Sequence, residues 1–265
     1  MNPLPTLRPL AVALSASGLL IASQVSLAQS AVNSLPAITI TADQDSYRAP
    51  ESSTATRTET PNLEVSQSVQ VVPQAVIQDQ NNMSLSDAVR NVSGVQADFG
   101  FSGSLQPLLI LRGFPSVSMT ATGSISSTYY LDGTKVQGVP IDLTNVQQVE
   151  VIKGPNSVLY GRAEPGGLVN VVTKQPSSVP SFGFEQTFGS YGLSRTSVEA
   201  TGALNADGTL LGRAAASYYS ADSIRDYVEN RLGAFTGSLS WVPSTAARIN
   251  ATIGYSDNRY RTDYG

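Results

Sequence analysis

The sequence predicts an α+β domain followed by the first strands of an antiparallel transmembrane β-barrel that this chain leaves incomplete. Three observations lead there. Residues 182–255 alternate apolar and polar side chains in runs of about ten residues, the dyad pattern of a strand with lipid on one side and water or protein on the other. Residues 62–176 mix short β-branched runs with short amphipathic helical turns. Residues 1–28 read as a secretory signal, with Arg8 at the start, an apolar stretch from Leu10 to Ala22, and a small-x-small cleavage site at Ser26-Leu27-Ala28.

The apolar stretch of the signal is short and is broken by Ser15, Ser17 and Gly18, which argues against a membrane anchor. No other run is apolar for long enough to cross a bilayer as a helix. Any crossing is therefore made by strands closed into a barrel, because lipid cannot satisfy open sheet edges.

Composition narrows the function. The net charge of −4 becomes −5 once Arg8, the only charged residue of 1–28, is removed with the signal. An acidic chain without a basic patch is a poor nucleic-acid binder. The chain has no Cys and no His. Disulfides, thiolate metal sites, His-based triads and His–zinc centres are thereby excluded. No convergent set of nucleophile and base stands out, so an enzyme is not expected, and neither is a cofactor.

From Gln29 to about Pro61 the chain is polar and reads as a flexible leader. Within it, Ala37-Ile38-Thr39-Ile40-Thr41-Ala42 alternates cleanly, and β-branched residues at period two favour an extended strand. A lone strand in such a leader is suited to add onto the edge of a partner's sheet.

The 62–176 domain opens with a strand at Val69–Val72. Pro73 suits the start of a helix running through Ala75–Gln80. Ser84 with Asp87 forms a capping-box-like start for a second helix, which keeps Leu85, Val89 and Val92 on one face and ends with Gly94 as its C′ residue. Residues 108–112 form a candidate buried strand. Tyr129–Leu131, Asp132-Gly133 and Thr134–Val136 read as a hairpin with a tight primed turn. Residues 116–128, nearly all small and polar, read as a mobile loop. Val149–Lys153 and Leu168–Thr173 supply further strands, and Gly154-Pro155 opens a helical turn toward Tyr160-Gly161.

Beyond 182, Phe182, Phe184 and Phe188 form the apolar side of the first barrel strand. Val198, Ala200 and Gly202 oppose Arg195, Ser197 and Glu199 on the second. Leu210–Ala221 is a third strand with weaker alternation. Phe235, Leu239 and Trp241 oppose Thr236, Ser238 and Ser240. Ile249, Ala251, Ile253 and Tyr255 oppose Arg248, Asn250 and Thr252. Short turns at 205–208 and 243–247 alternate with the longer charged link 222–230, as in barrels with short periplasmic and long external loops. About five strands cannot close a barrel, so the chain reads as a fragment of a longer gene product or as the product of a frameshifted gene.

Four blocks in order carry a resemblance: 73–95, Leu111-Arg112-Gly113-Phe114, Tyr130-Leu131-Asp132-Gly133, and 149–176 with Ser157-Val158-Leu159-Tyr160-Gly161 and Pro165-Gly166-Gly167-Leu168-Val169. Together, behind a signal and ahead of alternating strands, they resemble the plug domain of TonB-dependent outer-membrane siderophore receptors, in wording closest to the ferric-hydroxamate branch. The resemblance implies a signal peptide at 1–28, a leader at 29–61 with the TonB box near 37–42, a plug at 62–176 and the first barrel strands at 182–265.

It also implies a function. Such a receptor takes a ferric siderophore across the Gram-negative outer membrane. Ligand is bound by the plug apex and external loops, and energy comes from TonB and its inner-membrane complex acting on the box. Iron enters only as part of the ligand. Alternatives are another large nutrient such as cobalamin, or a free-standing periplasmic plug-like binder. With only Gln29–Ser34 between signal and box, a plain transporter is favoured over a receptor with an added signalling domain.

On that resemblance Arg112 is the leading ligand candidate, because a guanidinium offers fixed donors to hydroxamate or carbonyl oxygens. The other reading of Arg112 is an ion pair within the plug or with the barrel wall. Phe114, Tyr129, Tyr130 and Gln137 are further ligand candidates from apical turns. Lys153 and Arg162 are expected to lock the plug to wall glutamates. The family commonly has Arg where Lys153 stands, and Lys lacks the bidentate fork. The partner glutamates are expected beyond this chain, and none within 182–265 is singled out. Gly154, Gly161, Gly166 and Gly167 read as backbone requirements of tight turns.

Overall fold

The computed structural model describes residues 47–97, 109–119, 125–136, 139–161, 164–224, 226–244 and 247–261. The signal and the 37–42 segment lie outside these residues. Among the described residues no helix is long and apolar enough to cross a membrane, which says nothing of strands.

The first ordered elements are β1 (Glu51–Ser52) and β2 (Thr60–Pro61), paired antiparallel. They correct the reading of 29–61 as flexible throughout: Ser52, Thr54 and Ala55 are buried. β3 (Ser68–Pro73) runs directly into α1 (Gln74–Asp79), with extended Pro73 at the N-cap, as its fixed φ favours. α2 (Leu85–Val89) starts in a full capping box. The Ser84 hydroxyl accepts from the Asp87 N–H at 3.2 Å, and the Asp87 carboxylate accepts from the Ser84 N–H at 2.9 Å.

The helix ends well before Gly94, contrary to the sequence expectation. Val92 N–H already closes a turn on the Val89 carbonyl. Gly94, at φ +73°, instead shapes the turn into β4 (Val95–Ala97). β4 pairs with β5 (Leu109–Leu111), and β5 with β6 (Phe114–Pro115). The backbones of β7 (Val117–Met119) and β8 (Ile125–Ser127) pair antiparallel. Ser116 and Thr128 at the root of that hairpin are buried. A mobile loop over 116–128 is therefore replaced by a short hairpin with an anchored base.

β9 (Tyr129–Leu131) and β10 (Thr134–Val136) form the expected hairpin. Asp132 at φ +48° and Gly133 at φ +75° give it a type I′ character. β11 (Val146–Lys153), α3 (Ser157–Tyr160) and β12 (Gly167–Thr173) complete the domain. Its main sheet has the order β10-β9-β12-β11-β3, antiparallel except for the parallel pair β12–β9. Val149, Val151, Val169 and Val171 are fully buried at its centre, under Leu85, Val89, Leu109 and Leu111.

The second sheet is a continuous meander of β13 (Ser181–Phe188), β14 (Ser194–Ala203), β15 (Leu210–Asp222), β16 (Glu229–Ser244) and β17 (Ala247–Tyr260). Its register puts Phe182, Phe184, Phe188, Phe235, Leu239, Trp241, Ile249, Ile253 and Tyr255 in the open, while Arg195, Ser197, Ser217, Ser238 and Ser240 are buried. Apolar side chains outside and polar ones inside reverse the soluble pattern and match a lipid-facing wall. Among the described residues this wall stays an open sheet, a partial barrel.

Candidate functional site

One end of the main sheet gathers the cations that the sequence singles out. The β5–β6 hairpin turns through Arg112 at φ +51° and Gly113 at φ +86°. A two-residue turn with both φ positive prefers Asn or Asp before Gly. A bulky side chain there costs about 1 kcal/mol or more, so this turn is built to place a guanidinium.

The Arg112 stem passes the Gly94 Cα, and its Nη1 lies 3.9 Å from where a Cβ on Gly154 would stand. This brings it beside Lys153. The Lys153 ammonium donates to Ser93 Oγ at 2.8 Å and Gln70 Oε1 at 3.2 Å, both within the domain. Partial burial, and secondarily the Arg112 charge, lower its pKa from 10.5. Among the described residues no carboxylate forms an ion pair with either of these two neighbouring cations.

Glycines allow this convergence. A Cβ on Gly166 would meet the Leu111 carbonyl oxygen at 2.2 Å, and one on Gly167, at φ +141°, would meet the Ile152 oxygen at 2.1 Å. Here glycine is required by close approach of backbones.

The remaining sequence candidates separate. Phe114 is 41% exposed beside this tip and stays available to a ligand. Tyr129 and Tyr130 do not. Both are buried. Tyr129 bonds Ser116 through its hydroxyl, and Tyr130 donates to the Tyr160 carbonyl at 3.0 Å with the two rings edge-on at 4.8 Å. Burial raises the pKa of both phenols. They are core groups, a correction with a geometric reason: β9 lies between two cores, with Tyr129 packed into the one and Tyr130 into the other. Gln137 and Arg162 lie outside the described residues.

Opposite this tip, at the Val146/Thr173 end of the sheet, the domain is fastened to the wall. Arg195 on β14 donates to Thr144 Oγ1 at 2.8 Å and pairs with Asp142 at 3.3 Å. Arg213 on β15 donates from Nε to Asn145 Oδ1 at 2.8 Å and also pairs with Glu199. Glu199 meets Lys174 at 2.7 Å. The carboxylate of 182–265 that takes part is thus Glu199, but its partner from the N-terminal side is Lys174, not Lys153. Alternation marks these residues as inward-facing. Their pairing joins positions 25 to 68 apart in sequence, which no local signal reveals.

Residues 61–168 match the family profile described as the TonB-dependent receptor plug domain. The chain is 30% identical over 234 residues to the ferrichrome outer membrane transporter/phage receptor of Escherichia coli K12, covering 86% of this chain and 30% of that protein. The chain is similar to the N-terminal portion of TonB-dependent siderophore receptors.

Two solved receptors have the same fold. The ferric-catecholate import receptor Fiu of E. coli K12 in its closed form superposes with a TM-score of 0.70 at 28% identity, over 81% of this chain and 29% of that one. The pyoverdine outer membrane receptor FpvA of Pseudomonas aeruginosa PAO1 gives 0.72 at 25% identity, over 83% and 32%. The chain spans about a third of the length of the relatives it matches. The α+β domain is a plug and the meander is part of a barrel. Members of this family are transporters and receptors, not enzymes.

A second polar cluster, not anticipated from sequence, lies on the plug face away from the main core. Glu150 of β11 is fully buried. It accepts the Thr54 N–H at 2.9 Å, the Ser53 N–H at 3.4 Å and the Gln148 amide at 2.6 Å. Asn170 Nδ2 donates to Thr54 Oγ1 at 2.8 Å, and the Tyr160 hydroxyl to the Thr54 carbonyl at 2.7 Å. Sequence distances of 96 to 116 residues hid this cluster from a linear reading.

Proposed function

We propose that this chain supplies the plug and first wall strands of an outer-membrane importer for a ferric siderophore, reached after export with a cleaved signal peptide and energised by TonB through residues 37–42. The observation that carries the reading is a plug whose paired-cation tip lies at the end of the sheet away from its fastening to a lipid-type wall. The relatives above, receptors for ferrichrome, ferric catecholate and pyoverdine, support a ferric chelate over cobalamin. The outward aromatic and aliphatic residues of β13 to β17 argue against a free-standing periplasmic binder.

In this reading Phe114 and the β7–β8 hairpin face the ligand. Arg112 and Lys153 act together and take wall carboxylates between them, with Arg162 as a further contributor. Arg112 therefore moves from ligand contact to plug lock. Two adjacent cations need a shared anion, and the Arg112 side chain lies along Gly94 and Gly154. Ligand binding loosens that lock and biases the leader toward TonB, a coupling between two sites through one body.

The test is uptake and surface binding of ferric hydroxamates, ferric catecholates and cobalamin by cells whose only receptor of this type is the intact protein. Ile40→Pro in that receptor should retain chelate binding and lose uptake, since Pro removes a ladder N–H from the added strand. Normal uptake by Ile40→Pro would refute the TonB-box assignment, and uptake of cobalamin alone would refute the substrate class.

A further inference from the structure

The plug holds its N-terminal segment in a manner unlike β3, the strand that follows it. β3 is laddered to β11 over the full run from Gln148↔Pro73 to Lys153↔Ser68 and contributes Val72 to the main core. β1 pairs only with β2 and joins no larger sheet. What fixes 51–57 to the plug is a set of side-chain grips. Glu150, Asn170 and Tyr160, from β11, β12 and α3, bind the N–H, hydroxyl and carbonyl of one residue, Thr54. Arg57 adds a stack over the Tyr160 ring at 4.4 Å and a bond to the Leu159 carbonyl at 2.9 Å. Further out, Tyr47 bonds Asp79, and Asn62 holds the Ala49 and Pro50 carbonyls.

The apolar contribution of this segment is small. In the cluster of Ala55, Tyr130, Ile152, Tyr160 and Leu168, only Ala55 comes from it. A segment with little apolar burial and no ladder to the sheet has a low local unfolding cost compared with core strands. The grips can also open together, without unzipping β3.

We propose that residues 47–61 are a releasable latch that leaves the plug as a unit when the leader is pulled, with β3 as the stop, and that Glu150 is the positioning residue that seats it. This rests on the proposed pull by TonB on 37–42. Departure of Ser53 and Thr54 strips Glu150 of its two backbone donors and leaves it the Gln148 amide. Regaining the charge-assisted bonds from Ser53 and Thr54 favours return of the segment once the pull ends.

The chain contains no cysteine, so a single substitution within it adds one thiol probe to the intact receptor, read against the labelling of the unsubstituted receptor. Ala55→Cys reports the latch and Val151→Cys, in the main core, reports the sheet. Labelling by a periplasmic maleimide is followed with and without ferric chelate and working TonB. The expected result is that Ala55→Cys labels at least roughly tenfold faster during uptake, that Val151→Cys stays protected, and that Ile40→Pro abolishes the Ala55→Cys response. Protection of Ala55→Cys during measured TonB-dependent uptake overturns the latch and leaves the transport reading intact. A joint rise at both cysteines also overturns it, since the whole plug then opens.

Absence of uptake, or uptake insensitive to Ile40→Pro, is a failure of the transport reading instead. The resting receptor supplies a readout that needs no TonB. Glu150→Gln should speed Ala55→Cys labelling roughly tenfold, as loss of a charge-assisted bond implies, with Val151→Cys unchanged. No change in Glu150→Gln removes Glu150 from the latch.

Discussion

Arg195, on the second wall strand, reaches across to Asp142 of the plug at 3.3 Å, with both side chains largely withdrawn from solvent. Together with the Thr144 bond it forms a charged tie between the two parts of the molecule. Arg195→Met leaves Asp142 partly buried without its cation, which should destabilise the plug–wall contact by about 2 kcal/mol, below the range for a wholly buried pair. Denaturation of the detergent-solubilised receptor measures this. A double variant, Arg195→Met with Asp142→Leu, should recover part of the loss. Additive losses would mean that the two do not interact.

Arg112 sits with Lys153, and the two should behave as one unit. Arg112→Ala is expected to leave chelate affinity within roughly threefold of the parent while increasing leak of a bulky antibiotic through the receptor, with Arg112→Lys intermediate because it keeps charge and loses the fork. A tenfold or greater fall in affinity without leak would return Arg112 to the ligand-binding set.

Gly166 tolerates no side chain, given a 2.2 Å approach to the Leu111 oxygen. Gly166→Ala should cost about 3 kcal/mol by forcing the 111–114 hairpin away from the plug. Limited proteolysis of the plug reads this directly. Wild-type resistance would show that the hairpin moves at little cost.

Burial raises the pKa of the Tyr129 phenol above its ordinary 10.0, against an opposing contribution from Ser116. A folded-state pKa above the unfolded value contributes stability that is complete below pH 10 and is lost as pH rises beyond it. The plug should therefore weaken in alkali, and Tyr129→Phe should flatten that limb while lowering stability near neutrality by about 1 kcal/mol through the lost Ser116 bond. Parallel pH curves for the two proteins would assign the alkaline loss elsewhere.

Much of this architecture is legible in the sequence because it is encoded locally. Alternation in 182–255 gives the wall and its orientation, Ser84 with Asp87 gives a helix start, and Asp132-Gly133 gives a primed turn. What was misread depends on distant partners. The order of 51–61 is imposed by Glu150, Tyr160 and Asn170, about a hundred residues away. The 116–128 hairpin is held at its base by Ser116, whose hydroxyl meets Leu109 and Tyr129. Gly94 looked like a helix end because glycine serves both there and in the turn it occupies, and only the Arg112 N–H bonded to its carbonyl tells the two apart. The Tyr129-Tyr130 pair looked exposed because an apical turn was expected, whereas β9 sits within the sheet between β10 and β12 and packs Tyr129 and Tyr130 into cores on its two faces.

Among the described residues the fastenings to the wall fall near one end of β11 and β12, at Asp142, Thr144, Asn145 and Lys174. The Arg112–Lys153 tip lies at the other end, roughly 20 Å away along the strands. A body secured along one edge answers a sideways load at the opposite edge by turning about the secured edge, as a door does, and not by sliding. The first five strands of the wall then act as a hinge post, and release of the proposed Arg112–Lys153 lock lets the whole plug sheet turn about it.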